Sequence, residues 1–274
     1  MKKVGVALSG GSALGIAHIG VLQAFLDHGV PIDCISGTSA GAIVAAGYAF
    51  EISLEELRRR AGALNWAAMS SLPDSKLGIV SNRKVEETMT QMIDRRNIED
   101  AAIPLAIVAT DIESGEKIVF REGKAALAVR ASACIPGFFI PVVIDGKKFV
   151  DGGLTENLPL SPLRAMGAEV RIGVNVMRWH SHKEVKNLVD VMMNAVSILA
   201  SHQRHLVPQN VDILIEPDLT AYSASDFKRA DELVAEGYRA AMKKMPEIQK
   251  MVGMRGGPKK EGNILRRFLD WLGA

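Results

Sequence analysis

Twice within its first fifty residues the chain runs from a short apolar segment through a glycine-rich turn into a helix-compatible stretch. Val4-Gly5-Val6-Ala7-Leu8 reads as a buried strand, Ser9-Gly10-Gly11-Ser12-Ala13-Leu14-Gly15 as a turn, and Ile16 to His28 as a helix. Ile19, Leu22, Phe25 and Leu26 share one face of that helix, and Gly29 and Pro31 end it. The second unit is Cys34-Ile35-Ser36, then Gly37-Thr38-Ser39-Ala40-Gly41, then Ala42 to Phe50. Apolar strands that alternate with helices predict an α/β fold with a mostly parallel sheet, covered by helices on both faces.

The rest of the chain continues the alternation. Leu105 to Thr110 and Lys117 to Arg121 read as strands paired across Glu113-Ser114-Gly115. Val142-Val143-Ile144 and Lys147 to Asp151 flank Asp145-Gly146, a type I′ hairpin signal. Val170 to Val176 and Asp212 to Ile215 read as further strands. Helices are expected from the capping box at Ser53 to about Ala63, and over Val85 to Asp94, Lys124 to Ala133, Glu184 to His205 and Asp226 to Met245. In the fourth of these, Leu188, Val191, Met192, Ala195, Ile198 and Leu199 form a stripe read as core. Residues 65–82 lack periodicity and read as a surface connection, with a lid over Ser39 as the alternative.

Composition narrows the function classes. Of 274 residues, 48% are hydrophobic but only 5% aromatic, so a sizeable core must be mainly aliphatic. A net charge of +2 argues against a dedicated nucleic-acid binder. Cys34 and Cys134 lie in apolar surroundings and read as buried free thiols in a reducing compartment. No apolar run reaches membrane-spanning length. Met1-Lys2-Lys3 imitates the start of a signal peptide, but cleavage would remove the glycine loop, so a cytoplasmic protein is expected. Residues 1–254 read as the main domain and 255–274 as a linker followed by a helix. Five basic residues against two acids from Arg255 onward, with Ile264, Leu265, Phe268, Leu269 and Leu272 on one face, suit peripheral contact of 264–272 with an anionic inner membrane surface. The alternative is a helix docked on the protein body or on a partner subunit.

The chemistry concentrates at the turns. Gly37-Thr38-Ser39-Ala40-Gly41 between a strand and a helix has the form of a nucleophile elbow, in which small residues allow a sharp bend that exposes the serine. The bland alternative is a helix simply capped by Ser39. The first loop offers backbone N–H groups to an anion, either a dinucleotide pyrophosphate or a transient oxyanion. Ser12 in place of a middle glycine, and no acid at the end of the second strand, weigh against the dinucleotide. Asp151 ends a strand just before Gly152-Gly153, well placed to face a site. The base for Ser39 is then either Asp151 itself or a histidine; His180 and His182, in a polar loop after a strand, are the pair positioned for that.

These pieces resemble the patatin-like phospholipase family. Gly10-Gly11-Ser12-Ala13-Leu14-Gly15 stands where the family has its G-x-G-x-x-G loop, Gly37 to Gly41 matches G-x-S-x-G, and Asp151-Gly152-Gly153 matches D-G-A/G. Residues 131–141, Asn157 and Pro159 also resemble family segments, so the likeness covers roughly Val4 to Val176. It implies a three-layer α/β/α sandwich and a Ser39–Asp151 dyad without histidine. The oxyanion hole would come from Gly10, Gly11 and Ser12, with Gly15, Gly37, Gly41, Gly152 and Gly153 shaping the motifs. The implied activity is calcium-independent hydrolysis of acyl esters in phospholipids, lysophospholipids or neutral lipids, with no metal or cofactor. Ser12 replaces a family glycine, which costs about 1 kcal/mol or more if the position needs positive φ. Leu14 stands where many members carry arginine, so no electrostatic role carries over to it. The rival expectations are a histidine-triad hydrolase and a catalytically weak membrane- or protein-binding module on the same fold.

Overall fold

The strands of the computed structural model are β1 (Val4–Leu8), β2 (Cys34–Thr38), β3 (Leu105–Asp111), β4 (Lys117–Phe120), β5 (Val142–Ile144), β6 (Lys147–Asp151), β7 (Val170–Val174) and β8 (Ile213–Ile215). The structure describes residues 1–73, 75–177 and 211–254, together with Val191, Met192, Asn194, Ala195, Ile198, Leu199 and Trp271. One sheet runs in the order β5-β6-β3-β2-β1-β7-β8, with β4 also paired to β3. The pairs β3-β2, β2-β1, β1-β7 and β7-β8 are parallel, and the β3-β4, β3-β6 and β5-β6 pairs are antiparallel. The sheet is thus mostly parallel, as expected, with an antiparallel edge.

The helices are α1 (Ala17–His28), α2 (Ala40–Ala49), α3 (Leu54–Gly62), α4 (Trp66–Met69), α5 (Arg83–Ile93), α6 (Ala125–Ser132), α7 (Ser161–Ala165) and α8 (Ala230–Val252). Every position of β1, β2 and β3 is buried, because both faces of the sheet are covered. Val4, Val6, Leu8 and Ile35 enter the main core with the apolar faces of α1, α2 and α8. Ala7 and Cys34 point the other way, against Leu158, Leu160 and Leu163 beside α7. This strand-face alternation generates the three layers.

α1 and α8 cross without intervening side chains. A Cβ on Gly20 would lie 1.9 Å from the Val234 carbonyl oxygen, and one on Gly237 would lie 1.8 Å from that of Ala17. Only glycine at both positions permits this approach.

Several elements differ from expectation. The capping box at Ser53 forms by half: its hydroxyl accepts the Glu56 N–H at 3.2 Å, but the Glu56 carboxylate turns to Arg59 and Arg60. α8 continues through Pro246, because Ile248 and Val252 beyond it are buried. The stripe read as core on the fourth expected helix is largely solvent-facing where described: Val191, Ala195, Ile198 and Leu199 are exposed, and Met192 alone packs inward. Helical periodicity shows that residues share a face, not that anything covers it. Leu188 and most of Glu184 to His205 lie outside the described residues.

Candidate active site

Ser39 sits between β2 and α2 with φ 55° and ψ −123°, outside the ordinary helical and extended regions. Such a conformation costs roughly 1–3 kcal/mol and persists only where neighbours enforce it. The neighbours here are identifiable. The Ser39 N–H donates to Ser132 Oγ at 2.8 Å, and that hydroxyl donates onward to the Val108 carbonyl at 2.6 Å. The flanking Thr38 and Ser36 hydroxyls donate to the carbonyls of Glu156 (2.9 Å) and Pro159 (2.6 Å). Gly37 and Gly41 allow the bend: a Cβ on the first would lie 2.5 Å from the Gly41 carbonyl oxygen, and one on the second 2.2 Å from that of Leu8. The serine is therefore held half-buried at the N-terminus of α2, where the helix dipole favours negative charge.

Asp151 arrives from another part of the chain. It ends β6 opposite Ala109 of β3. Its N–H donates to the Cys134 carbonyl at 2.8 Å, and its own carbonyl accepts the Thr110 hydroxyl at 3.1 Å. Gly152 lets the chain turn tightly against β3, since a Cβ there would lie 2.3 Å from the Val108 carbonyl oxygen. The Gly153 N–H donates to the carboxylate at 2.8 Å. Burial pushes the Asp151 carboxyl up to about 6, although hydrogen bonds from the Ser39 hydroxyl and the Gly153 N–H pull the other way. The structure thus brings the Ser39 hydroxyl and the Asp151 carboxylate together. Beside them, burial and the carboxylate push the Cys134 thiol up to about 12. Cys34 and Cys134 are both buried and free.

The glycine loop lies against Ser39. A Cβ on Gly10 would stand 3.1 Å from Ser39 Cβ, and one on Gly15 2.5 Å from Ala40 Cβ. The expected set of loop donors needs one correction. The Gly10 N–H donates to the Asn157 carbonyl at 3.2 Å, so it is committed to holding the loop. Gly11, packed against Val176, and Ser12 are the residues left to offer amides. Ser12 has φ 52°, the positive value at which a side chain is strained.

Sequence reasoning missed His18. This residue is wholly buried in α1, and its Nε2 lies 2.8 Å from the Ser9 carbonyl, which can only accept. Nε2 therefore carries the hydrogen, and Nδ1 has no partner among the described residues. Burial lowers its pKa to about 4, with the Ser9 hydrogen bond opposing. Its role is to tether the loop from below. The only signal was a histidine within an apolar helix. His180 and His182 lie outside the described residues.

A cleft opens from Ser12 and Ser39 between the helices, lined by Ile19, Ile43, Leu57, Val85, Met89 and Phe139 among others. It encloses about 1070 Å³, counting space open to solvent. Its lining is overwhelmingly apolar, with Arg60 and Lys84 as cations. Arg60 is paired with Glu56 at 2.6 Å. Among the described residues, no group of three or more His, Cys, Asp or Glu side chains is arranged to hold a metal, and no helix is long and apolar enough to cross a membrane. Of residues 255–274, Trp271 alone is described; its ring lies 5.1 Å from the Arg58 guanidinium of α3, on the protein body.

A family model described as patatin-like phospholipase matches residues 6–164, more than half of the chain. An uncharacterised NTE-family protein of Mycobacterium tuberculosis is 35% identical over 177 residues, covering 64% of this chain and 49% of that protein. Patatin-like phospholipase domain-containing protein 7 of Rattus norvegicus is 29% identical over 273 residues, covering 86% of this chain and 20% of that one. Lysophospholipase NTE1 of Scheffersomyces stipitis is 26% identical over 292 residues, covering 92% and 19%. The chain thus spans about half the length of the mycobacterial relative and about a fifth of the other two. Among solved structures, VipD from Legionella pneumophila shares the fold, with a TM-score of 0.52 and 15% identity over 90% of this chain and 67% of that one.

Proposed function

Because the chain belongs to the patatin-like phospholipase family, we propose that it is a serine hydrolase of lipid acyl esters. The observation that carries the reading is the meeting of a strained, outward-held Ser39 with a buried carboxylate poised near neutral pH. A general base works best when its pKa lies close to the working pH, and Asp151 at about 6 meets that condition.

In this mechanism Asp151 takes the hydroxyl proton as Ser39 Oγ attacks the ester carbonyl. The carbonyl π electrons move to oxygen, and the Gly11 and Ser12 amides with the α2 N-terminus offset the new charge. Collapse expels the alcohol, which takes the proton from Asp151, and leaves an acyl-Ser39 ester. Water, deprotonated by Asp151, then attacks that ester; collapse expels Ser39 Oγ, which takes the proton back from Asp151, and the fatty acid is released. The apolar cleft leading from Ser39 fits the acyl chain. Names among the relatives agree with phospholipid or lysophospholipid substrates.

The test uses p-nitrophenyl butyrate and p-nitrophenyl palmitate. Ser39→Ala is expected to abolish hydrolysis of both and to prevent labelling by a fluorophosphonate. Ile43→Trp, which fills part of the cleft, is expected to depress palmitate turnover far more than butyrate turnover. Full activity in Ser39→Ala would remove the serine from the mechanism.

A further inference from the structure

Among the described residues, six of the ten large apolar side chains left exposed come from two short segments. Leu72, Leu77 and Ile79 are 90%, 57% and 46% exposed, and Val191, Ile198 and Leu199 are 51%, 42% and 47% exposed. Both segments lie against residues 137–140. Ile79 and Val80 donate to the Phe138 carbonyl at 3.0 and 3.1 Å, and Val80 accepts from Ile140 at 2.9 Å. From the other side, Met192 Cε lies 2.9 Å from where a Cβ on Gly137 would stand.

The loop is built to present these side chains. Ser71 and Ser81 exchange backbone hydrogen bonds of 2.8 and 3.1 Å, closing its base, and residues 79–80 are pinned to 138. These bonds fix both ends of the loop, while Leu72 and Leu77 stand exposed between them. The loop also adjoins the cleft. Ala68, Met69 and Lys84, which bracket it in sequence, line the cleft together with Ser39 and Phe139. Exposed cations stand at its tip (Lys76) and at its exit (Arg83 and Lys84), with Asp74 in its sequence and the exposed Glu87 farther along α5. Aliphatic side chains held out among cations are what a bilayer carrying anionic lipid accepts.

We propose that the loop 71–81 is a membrane-docking surface, seating Leu72, Leu77 and Ile79 in a lipid bilayer so that the cleft mouth faces the leaflet. The proposal rests on reading the cleft as an acyl site: a lipid would pass from leaflet to Ser39 without crossing water. It places membrane contact on the catalytic body rather than on residues 264–272.

The experiment compares two proteins of residues 1–274, both carrying Ser39→Ala so that vesicles stay intact. One adds Leu72→Ser, Leu77→Ser and Ile79→Ser. Co-sedimentation uses vesicles of phosphatidylcholine and phosphatidylglycerol in equal parts. The added substitutions are expected to weaken binding at least about tenfold, less than full burial of three aliphatic side chains would supply. Leu72→Ser alone, at a side chain that touches little, is expected to weaken it about two- to threefold. In the Ser39 background the triple variant is expected to hydrolyse p-nitrophenyl butyrate at the unaltered rate while slowing on vesicle lipid. Equal vesicle binding by the two proteins overturns the proposal, as does a dimer that the substitutions dissociate while vesicle binding is unchanged. Loop-dependent binding by a protein inactive on every ester would sink the hydrolase reading and keep the docking surface. Activity with loop-independent binding would do the reverse.

Discussion

Replacing Asp151 with asparagine should abolish turnover and make the protein more stable. The carboxyl titrates at about 6 instead of 3.8, because burial disfavours its charged form. A raised carboxyl pKa means that the folded state holds a proton between pH 6 and 3.8 that the unfolded state has released. The Asp151 contribution to stability therefore grows as pH falls through that window, and above pH 6 the full penalty of the buried charge is present. The shift of roughly two units at 1.36 kcal/mol each amounts to about 3 kcal/mol. Asparagine stands in for the neutral acid: its oxygen still accepts the Gly153 N–H, and its amide faces the Ser39 hydroxyl. Guanidinium unfolding at pH 8 should show Asp151→Asn more stable by about 3 kcal/mol, shrinking to about 1 kcal/mol at pH 4.5. The titration of His18 is common to both proteins and cancels in the difference. Equal stabilities at pH 8, or a gap that widens on acidification, would refute the desolvation reasoning.

Ser12→Gly relieves a positive φ while keeping the backbone N–H, so it should raise stability by up to about 1 kcal/mol with butyrate turnover retained; a loss of stability in urea unfolding would contradict the strain at 52°. His18 stays neutral in the folded state down to about pH 4, whereas its ordinary value is 6.5. The His18 contribution should therefore cost up to about 3 kcal/mol as pH falls from 6.5 to 4, opposing the Asp151 gain over much of the same range, so wild type should lose that much stability relative to His18→Gln; parallel pH profiles would rule out this origin. Gly237→Ala forces a methyl to within 1.8 Å of the Ala17 carbonyl, and a destabilisation of about 3 kcal/mol or more is expected; an unchanged Tm would show that the two helices can part cheaply.

What was legible in the sequence was local. The turn at Ser39 follows from glycines bracketing a residue between a strand and a helix, and the close contacts of Gly37 and Gly41 are the physical content of that pattern. The hairpin that delivers Asp151 follows from Asp145-Gly146, which adopt φ 50° and 79°. Long-range partners were not legible. That Asn157 occupies the Gly10 N–H, that Ser132 supports the Ser39 N–H, and that His18 holds Ser9 depend on segments joined only by folding. The exposure of Val191, Ile198 and Leu199 was misread for the same reason: an apolar stripe has no meaning until its neighbours are known. The last helix, expected to end at Met245, runs on through Pro246 to Val252, since buried residues beyond the proline outweigh one lost backbone hydrogen bond.

The bare crossing of α1 over α8 reaches beyond packing. Residues 6–164 carry the family likeness, yet the helix that supports the glycine loop from behind is completed by Gly237 near the other end of the chain. The Lys2 N–H, bonded to the Val252 carbonyl at 3.2 Å, closes the same circle. During synthesis, the strands bearing Ser39 and Asp151 would leave the ribosome long before their buttress exists. A nascent chain stalled before α8 should therefore be protease-sensitive and unreactive towards a serine-directed probe, and should acquire both properties of the mature protein in a single late step.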